Sequence, residues 1–337
     1  MRSEAERKRR LAVEAAGGRL VTSRPWDVRW LLCGRGRPID ISAPNSPYTV
    51  ELDEGIARVH YADIEHSRVQ SEELFVQLGY KLAPYPWDEG RELEETPPVL
   101  DQLRLELCEE EIRRYRRAGS RTGIAMMNAL SSLDPETTEL EAAAELAMEV
   151  YDRGLVPVVV LVAGEDRQRV HRHPLPTEAP LGRHALLAVT AERDGLHVSI
   201  TRLVSFGPPP EELAHLVQAC AEVDAAYLAA SRPGATLGEA FAAGERAYAE
   251  QGFPEEWRGH HQGGLTGYRG REVFAVPGEP TRIPSCAALA WNPSIAGGAK
   301  SEDTVLVTED GVEMLTRTPD LGELETAGLP RPAIARL

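Results

Sequence analysis

Several short stretches bring together side chains that can move protons or grip anions near neutral pH. His261 stands in GHHQGG, beside glycines that let backbone approach another group closely, which suits a pocket better than a core. An imidazole there can bind a substrate or carry a proton. His197 and Ser199 are two apart in LHVSITR, so a strand turns both to one face. YRGREVF groups Arg269, Arg271 and Glu272 around a glycine, and a guanidinium at a pocket rim grips a carboxylate through a two-pronged fork. Trp291-Asn292-Pro293 presents a carboxamide that can hydrogen-bond a neutral amide or a carboxylate. Solvated strand faces, surface ion pairs and a structural Asn are the competing readings. Cys33, Cys108, Cys220 and Cys286 are far apart with no C-x-x-C pair, the spacing of reduced thiols rather than of a disulfide frame or zinc site.

The positioning elements follow from pattern. With 337 residues the chain exceeds one typical domain. The first hundred residues read as a small α/β unit: a charged helix over about 3–16, strand-like GRLVTS, an apolar WDVRWLLCG, and helix then strand in HSRVQSEELFVQLGYKLAPYPW. The acidic, proline-bearing DEGRELEETPPVLDQL reads as a linker, which places domains at 1–103 and 104–337. In the second part, Thr138 with Glu141 and Thr236 with Glu239 form capping boxes that open helical runs closed by Gly154 and Gly252, at the same spacing in both. The matched pair suggests a duplicated half. Alternation around Asp194-Gly195 predicts a β-hairpin, and PPPEELAHLVQACAEVDAAYLAA a helix with proline in its first turn. AALAWNPSI and EDTVLVTEDGVEMLT read as strands, the latter turning at Asp310-Gly311. The fold class is α+β, with hairpins feeding one mixed sheet.

A net charge of −16 argues against nucleic acid and against an anionic membrane surface, since no basic field meets the phosphates. No apolar run approaches the ~20 residues of a membrane span, and MRSEAERKRRLAVEAAGGRL lacks an apolar signal core, so a cytoplasmic location is expected.

Four motifs in order resemble the creatinase/aminopeptidase P/prolidase family over nearly the whole chain. SEDTVLVTEDGVEMLT follows its final Glu-Asp-Thr strand and turn, GHHQGGLTGY its Gly-His-Gly-x-Gly-Leu segment, AERDGLHVSITR its hairpin ending in Thr-Arg, and AWNPSI its Glu-Pro-Gly strand. The resemblance implies a small N-terminal α/β domain and a C-terminal pita-bread domain with a pseudo-twofold internal repeat. It also implies a five-ligand, two-metal site of two aspartates, a histidine and two glutamates. Carried over, those positions hold Ala188, Ser199, His261 (or His260 after a one-residue slip), Asn292 and Glu302. One carboxylate remains, too few for two adjacent dications, so no metal and no other cofactor is expected.

Creatinase, as the resemblance implies, cleaves a C–N bond without metal through a histidine, which falls here in VHRHPLPT at His171 or His173. A further family histidine and glutamate fall at Tyr268 and Arg269. Expected catalytic residues are therefore His171, His173, His261 and Glu302; expected substrate contacts are His197, Ser199, Tyr268, Arg269, Arg271 and Asn292. The leading expectation is a metal-independent hydrolase, or related C–N or cyclisation enzyme, for a small polar molecule. A non-catalytic binding or regulatory protein comes second, and a metal-dependent Xaa-Pro aminopeptidase with other ligands third. The resemblance also implies a homodimer.

Overall fold

The computed structural model describes residues 1–90 and 93–337; Arg91 and Glu92, within the expected linker, lie outside the described residues. The chain divides into two compact units. The first comprises Met1–Glu106 with the short segments 194–196 and 267–269, and the second holds the remainder. The division thus falls three residues beyond the expected boundary and gives two loop tips to the first unit.

In the first unit, α1 (Arg2–Ala15) and β1 (Leu20–Thr22) lead into α2 (Pro25–Leu31), followed by β2 (Thr49–Asp53), β3 (Ile56–Ala62), α3 (His66–Glu72) and β4 (Lys81–Tyr85). The strands form one sheet in the order β1-β2-β3-β4, antiparallel except for the parallel β3–β4 pair. The apolar stretch WDVRWLLCG is helix α2. Pro25 occupies its first turn, where a missing N–H is no loss, and Val28, Trp30 and Leu31 are buried.

The second unit opens with a 23-residue helix, α4 (Glu109–Ser131), capped by the Cys108–Glu111 pair. Next come α5 (Glu139–Asp152), β5 (Val156–Gly164), α6 (Glu165–Gln168), β6 (His184–Arg193), β7 (Leu196–Ser205), α7 (Glu211–Ala230) and α8 (Leu237–Glu250). Strands β8 (Gly263–Thr266), β9 (Val273–Phe274), β10 (Ala287–Trp291), β11 (Ser294–Ile295), β12 (Ala299–Lys300), β13 (Asp303–Thr308) and β14 (Gly311–Met314) follow. Short β15 (Glu323–Leu324), β16 (Arg331–Pro332) and β17 (Ala335–Arg336) close the chain. Two main sheets result, β17-β7-β6-β5 and β14-β13-β10-β8-β9.

The expected duplication is visible in detail. Helices α5 and α8 are both 14 residues long, and each begins on a two-sided Thr/Glu capping box. Each capping threonine also forms an isolated bridge, Thr138 with Pro180 and Thr236 with Arg282. At the hairpin between β6 and β7, Asp194 and Gly195 have φ of 52° and 83°, the left-handed pair that a two-residue turn requires.

The two sheets meet at a third bridge, Thr201 with Glu302. Beneath it lies a fully buried charge network. Asp303 accepts from Arg202 (2.8 Å), Arg331 (2.7 Å) and Thr316 (2.5 Å), while Asp224 accepts from Arg331 (2.7 Å) and Ser301 (2.5 Å). Removing one member strands a buried charge. Arg331→Ala is expected to destabilise the fold by about 3–5 kcal/mol, whereas Arg116→Ala, which breaks the exposed pair with Glu313, costs less than about 1 kcal/mol. Urea unfolding followed by circular dichroism measures both; equal effects would contradict a structural role for the buried network.

Candidate functional site

Where the two sheets meet, the second unit holds a cavity of about 350 Å³. Glu302, between β12 and β13, sits in it with its side chain 8% exposed. One carboxylate oxygen accepts from the Thr201 hydroxyl at 2.7 Å and the other from Arg271 Nη2 at 3.2 Å. Lys300, two residues earlier, places its Nζ 3.9 Å from the first of those oxygens. The Lys300 side chain is only 4% exposed, yet among the described residues its ammonium makes no hydrogen bond. Burial lowers its pKa, and the Glu302 charge pulls the other way. Arg271 donates through Nη1 to the Gly270 carbonyl, and among the described residues its Nε has no hydrogen-bond partner.

Asn292 follows β10 and is 2% exposed. Its backbone N–H donates to the Gln262 carbonyl at 3.0 Å, while among the described residues the side-chain Oδ1 has no hydrogen-bond partner. His197 borders the cavity from β7. Ser199, expected beside it, is buried; its hydroxyl pairs with Thr190 at 2.9 Å, and Thr190 with the Ala188 methyl lines the cavity in its place.

Three imidazoles gather toward the mouth. His173 and His261 stack with ring centroids 5.7 Å apart, His260 lies 5.7 Å from His261, and Phe274 meets His261 edge-on. Gly263, two residues after His261, has φ of 106°, and a Cβ there would run into the Ala290 carbonyl, so the close backbone approach expected of this stretch is real. Loss of hydration lowers the pKa of all three rings, and the neighbouring positive charges of Arg271 and Lys300 add to it at His261, pushed down to about 4. Near neutral pH the cluster is uncharged.

Of the expected residues, His173, His197, His261, Arg271, Asn292 and Glu302 border the cavity. His171 does not; it is exposed and borders a separate 130 Å³ hollow with Gln168 and Arg172, the chain bending at Arg172 and His173. Tyr268 and Arg269 belong to the first unit: the Tyr268 hydroxyl accepts from buried Lys8 at 3.2 Å, and Arg269 lies over the Trp26 ring. They are loop-tip residues, not cavity residues. Lys300 and Thr201 were missed. Each was legible by the two-residue periodicity that paired His197 with Ser199, since Lys300 precedes Glu302 by two and Thr201 follows Ser199 by two.

Residues 113–309, more than half of the chain, match the model of metallopeptidase family M24. The chain belongs to that family. Over 230 residues it is 28% identical to the "Probable dipeptidase PepE" of Mycobacterium tuberculosis, covering 66% of this chain and 61% of that protein. The match therefore spans about three fifths of that curated relative. An Xaa-Pro dipeptidase of Pyrococcus furiosus is 23% identical, with 68% of each chain covered. Among solved structures, dipeptidase PepE from Mycobacterium ulcerans superposes with a TM-score of 0.76 at 19% identity, over 100% of this chain and 99% of that one. The Xaa-Pro dipeptidase from Bacillus anthracis gives 0.76 at 18%, over 97% and 100%. The M24 chain has the family's pita-bread fold with an N-terminal α/β domain. No helix among its described residues is long and apolar enough to cross a membrane.

The lowered imidazole values set a pH dependence. Below the ordinary 6.5 the unfolded chain takes protons that the folded cluster refuses, so the cluster's contribution to stability is complete above that pH and is lost as pH falls, toward about 4 for His261 and toward about 2 for His260. The urea midpoint of the M24 protein should drop between pH 7 and pH 5, and the drop should be smaller in His260→Gln. An identical slope in the variant would show that the ring titrates normally.

Proposed function

We propose that this M24 protein is a metal-independent enzyme acting on a C–N bond of a small polar substrate, by hydrolysis or a related elimination or cyclisation. The observation that carries the reading is the state of Glu302, the one carboxylate at the five family ligand positions, which is already matched by Arg271, Thr201 and Lys300. The residues present do not fit a pair of divalent ions. Ala188 offers no donor atom, the Ser199 hydroxyl is engaged with Thr190, and Asn292 is neutral. A unit charge about 4 Å from another interacts by about 4 kcal/mol at an effective dielectric near 20, and a dication beside Lys300 would meet twice that repulsion.

What the cavity offers instead is fixed positive charge beside neutral imidazoles. In hydrolysis, His261 or His173 takes the proton from water as its oxygen bonds to the carbonyl or amidino carbon. The same ring then returns the proton to the leaving nitrogen as the C–N bond breaks. Lys300 and Arg271 face negative charge developing on the attacked group. Relatives named as dipeptidases support a substrate with such a bond. A second reading, a binding protein that keeps the fold without turnover, is favoured by one observation: a ring with a pKa near 4 is a weak base.

Elemental analysis of the purified protein should find well under one divalent ion per chain, and EDTA should leave turnover of guanidino acids, Xaa-Pro dipeptides or amides unchanged while His261→Ala and Glu302→Ala abolish it. Two tightly held ions per chain would overturn the proposal in favour of a metal-dependent dipeptidase. A metal-free protein inert toward the whole panel would leave the binding reading.

A further inference from the structure

We infer that the separate hollow lined by Arg169, His171, Arg172 and Lys300 is a binding site for a tetrahedral oxyanion, either inorganic phosphate or the phosphate group of a small ester. Lys300 is the one residue it shares with the cavity, and no family ligand position borders it. The inference therefore stands whether or not the cavity holds metal.

Charge comes first. The chain carries 53 acidic against 37 basic residues, yet three cations and a histidine line this hollow and no carboxylate does. Two of the cations have carboxylate partners outside the lining. Arg172 pairs with Glu256, and Arg169 lies 3.8 Å from Glu212 in an exposed pair that is worth little. Lys300 differs from both. Its side chain is 4% exposed, Glu302 stands 3.9 Å off and beyond hydrogen-bond reach, and among the described residues no acceptor meets the ammonium. A buried ammonium with its donors unmade is costly, and an oxyanion in the hollow supplies the missing acceptors.

The walls are set without a ligand. Gln168 is 4% exposed; its Nε2 donates to the Gly298 carbonyl at 2.7 Å, and its Oε1 meets His184 Nδ1 at 3.2 Å. Gly297 and Gly298 have φ of 99° and 110°, and a Cβ at Gly298 would run into the Gln168 side chain, so the β11–β12 turn lies hard against α6. Arg172 is held to the same hairpin. Its Nη1 donates to the Ser294 hydroxyl at 2.7 Å and its Nη2 to Glu256, which also accepts from the Ala296 N–H at 3.0 Å. Arg169 and His171 are exposed, so solvent reaches the hollow on their side. A volume near 130 Å³ is well below that of a drug-sized ligand pocket and holds a group of a few heavy atoms. Guanidinium, ammonium and imidazole donors together outnumber the two oxygens of a carboxylate and suit the three or four of a phosphate.

Isothermal titration calorimetry on the full chain, at constant ionic strength with chloride as the balancing ion, tests this with inorganic phosphate, methyl phosphate and acetate. Phosphate should bind saturably with a Kd at or below about 1 mM, and acetate about tenfold or more weakly. Arg169→Gln and His171→Gln, at exposed positions that border this hollow and not the cavity, should each weaken phosphate about threefold, and Lys300→Met about tenfold or more. Lys300→Gln replaces the Met variant if circular dichroism shows that it fails to fold. His261→Ala, which alters the cavity alone, should leave phosphate affinity unchanged. No saturable phosphate binding, wild-type affinity in the folded Arg169, His171 and Lys300 variants, or binding lost in His261→Ala but kept in Arg169→Gln overturns the inference. Methyl phosphate binding as tightly as inorganic phosphate assigns the site to a phosphate group on a larger molecule, and a clear preference for inorganic phosphate assigns it to the free ion.

Discussion

Glu302 is a carboxylate held out of water, and its charge has to be met inside the fold. Arg271 and the Thr201 hydroxyl meet its two oxygens, and Lys300 stands within ion-pair distance. Each of these is tied to a different part of the second unit: Thr201 to β7, Lys300 to β12, and Arg271 to the loop between β8 and β9. The charge balance therefore holds several strands in one arrangement around the cavity. Both cations belong to the chain itself, Arg271 at 3.2 Å and Lys300 at 3.9 Å from the carboxylate.

The same strip of backbone that turns Glu302 into the cavity turns Asp303 away from it. Asp303 is 3% exposed and enters the buried network with Arg202 and Arg331, while Ser301 on its other side donates to Asp224. Alternation along one extended segment thus separates a residue available to a ligand from residues committed to the scaffold. Thr304 extends the junction, accepting from the Ser199 N–H at 2.7 Å and donating to the Ser199 carbonyl at 3.0 Å. Ser199 stands at a family metal position but works here as a joint between sheets. A backbone and hydroxyl clamp of this kind is rigid, which is what a site that relies on fixed charges requires.

Much of this was legible in the sequence where the signal is local. The paired capping boxes at Thr138 and Thr236 fix helix starts through side chains three residues apart, so no tertiary information is needed to find them. The Asp194-Gly195 turn is likewise set by the left-handed conformations its two residues tolerate. Helix α4 went unread because RRYRRAGSRTGIAMMNALSS has glycines and clustered arginines inside it, and only packing makes Gly119 and Gly123 necessary: a Cβ at either would run into the backbone around Leu315 or Arg317. Strand β5 went unread because VPVVVLVAG carries proline and two exposed valines. Tyr268 and Arg269 were placed by counting along a motif, which cannot tell that a loop tip joins the other unit. Lys300 is hidden in the sequence because a lysine is no metal ligand of the family pattern and its burial beside Glu302 is a tertiary feature.

The neutral imidazoles and the fixed cations are one system. His261 is held near pKa 4 first by loss of hydration and then by Arg271, His173 and Lys300, with Glu302 opposing. Two of those depressing influences are the positive charges that face the cavity. An anion bound against Lys300 and Arg271 would offset them and so raise the basicity of His261, by the ordinary rule that a neighbouring negative charge favours the protonated ring. A ring that is a weak base in the free protein would become a stronger one beside such an anion, and a neutral ligand of the same shape would produce no such change.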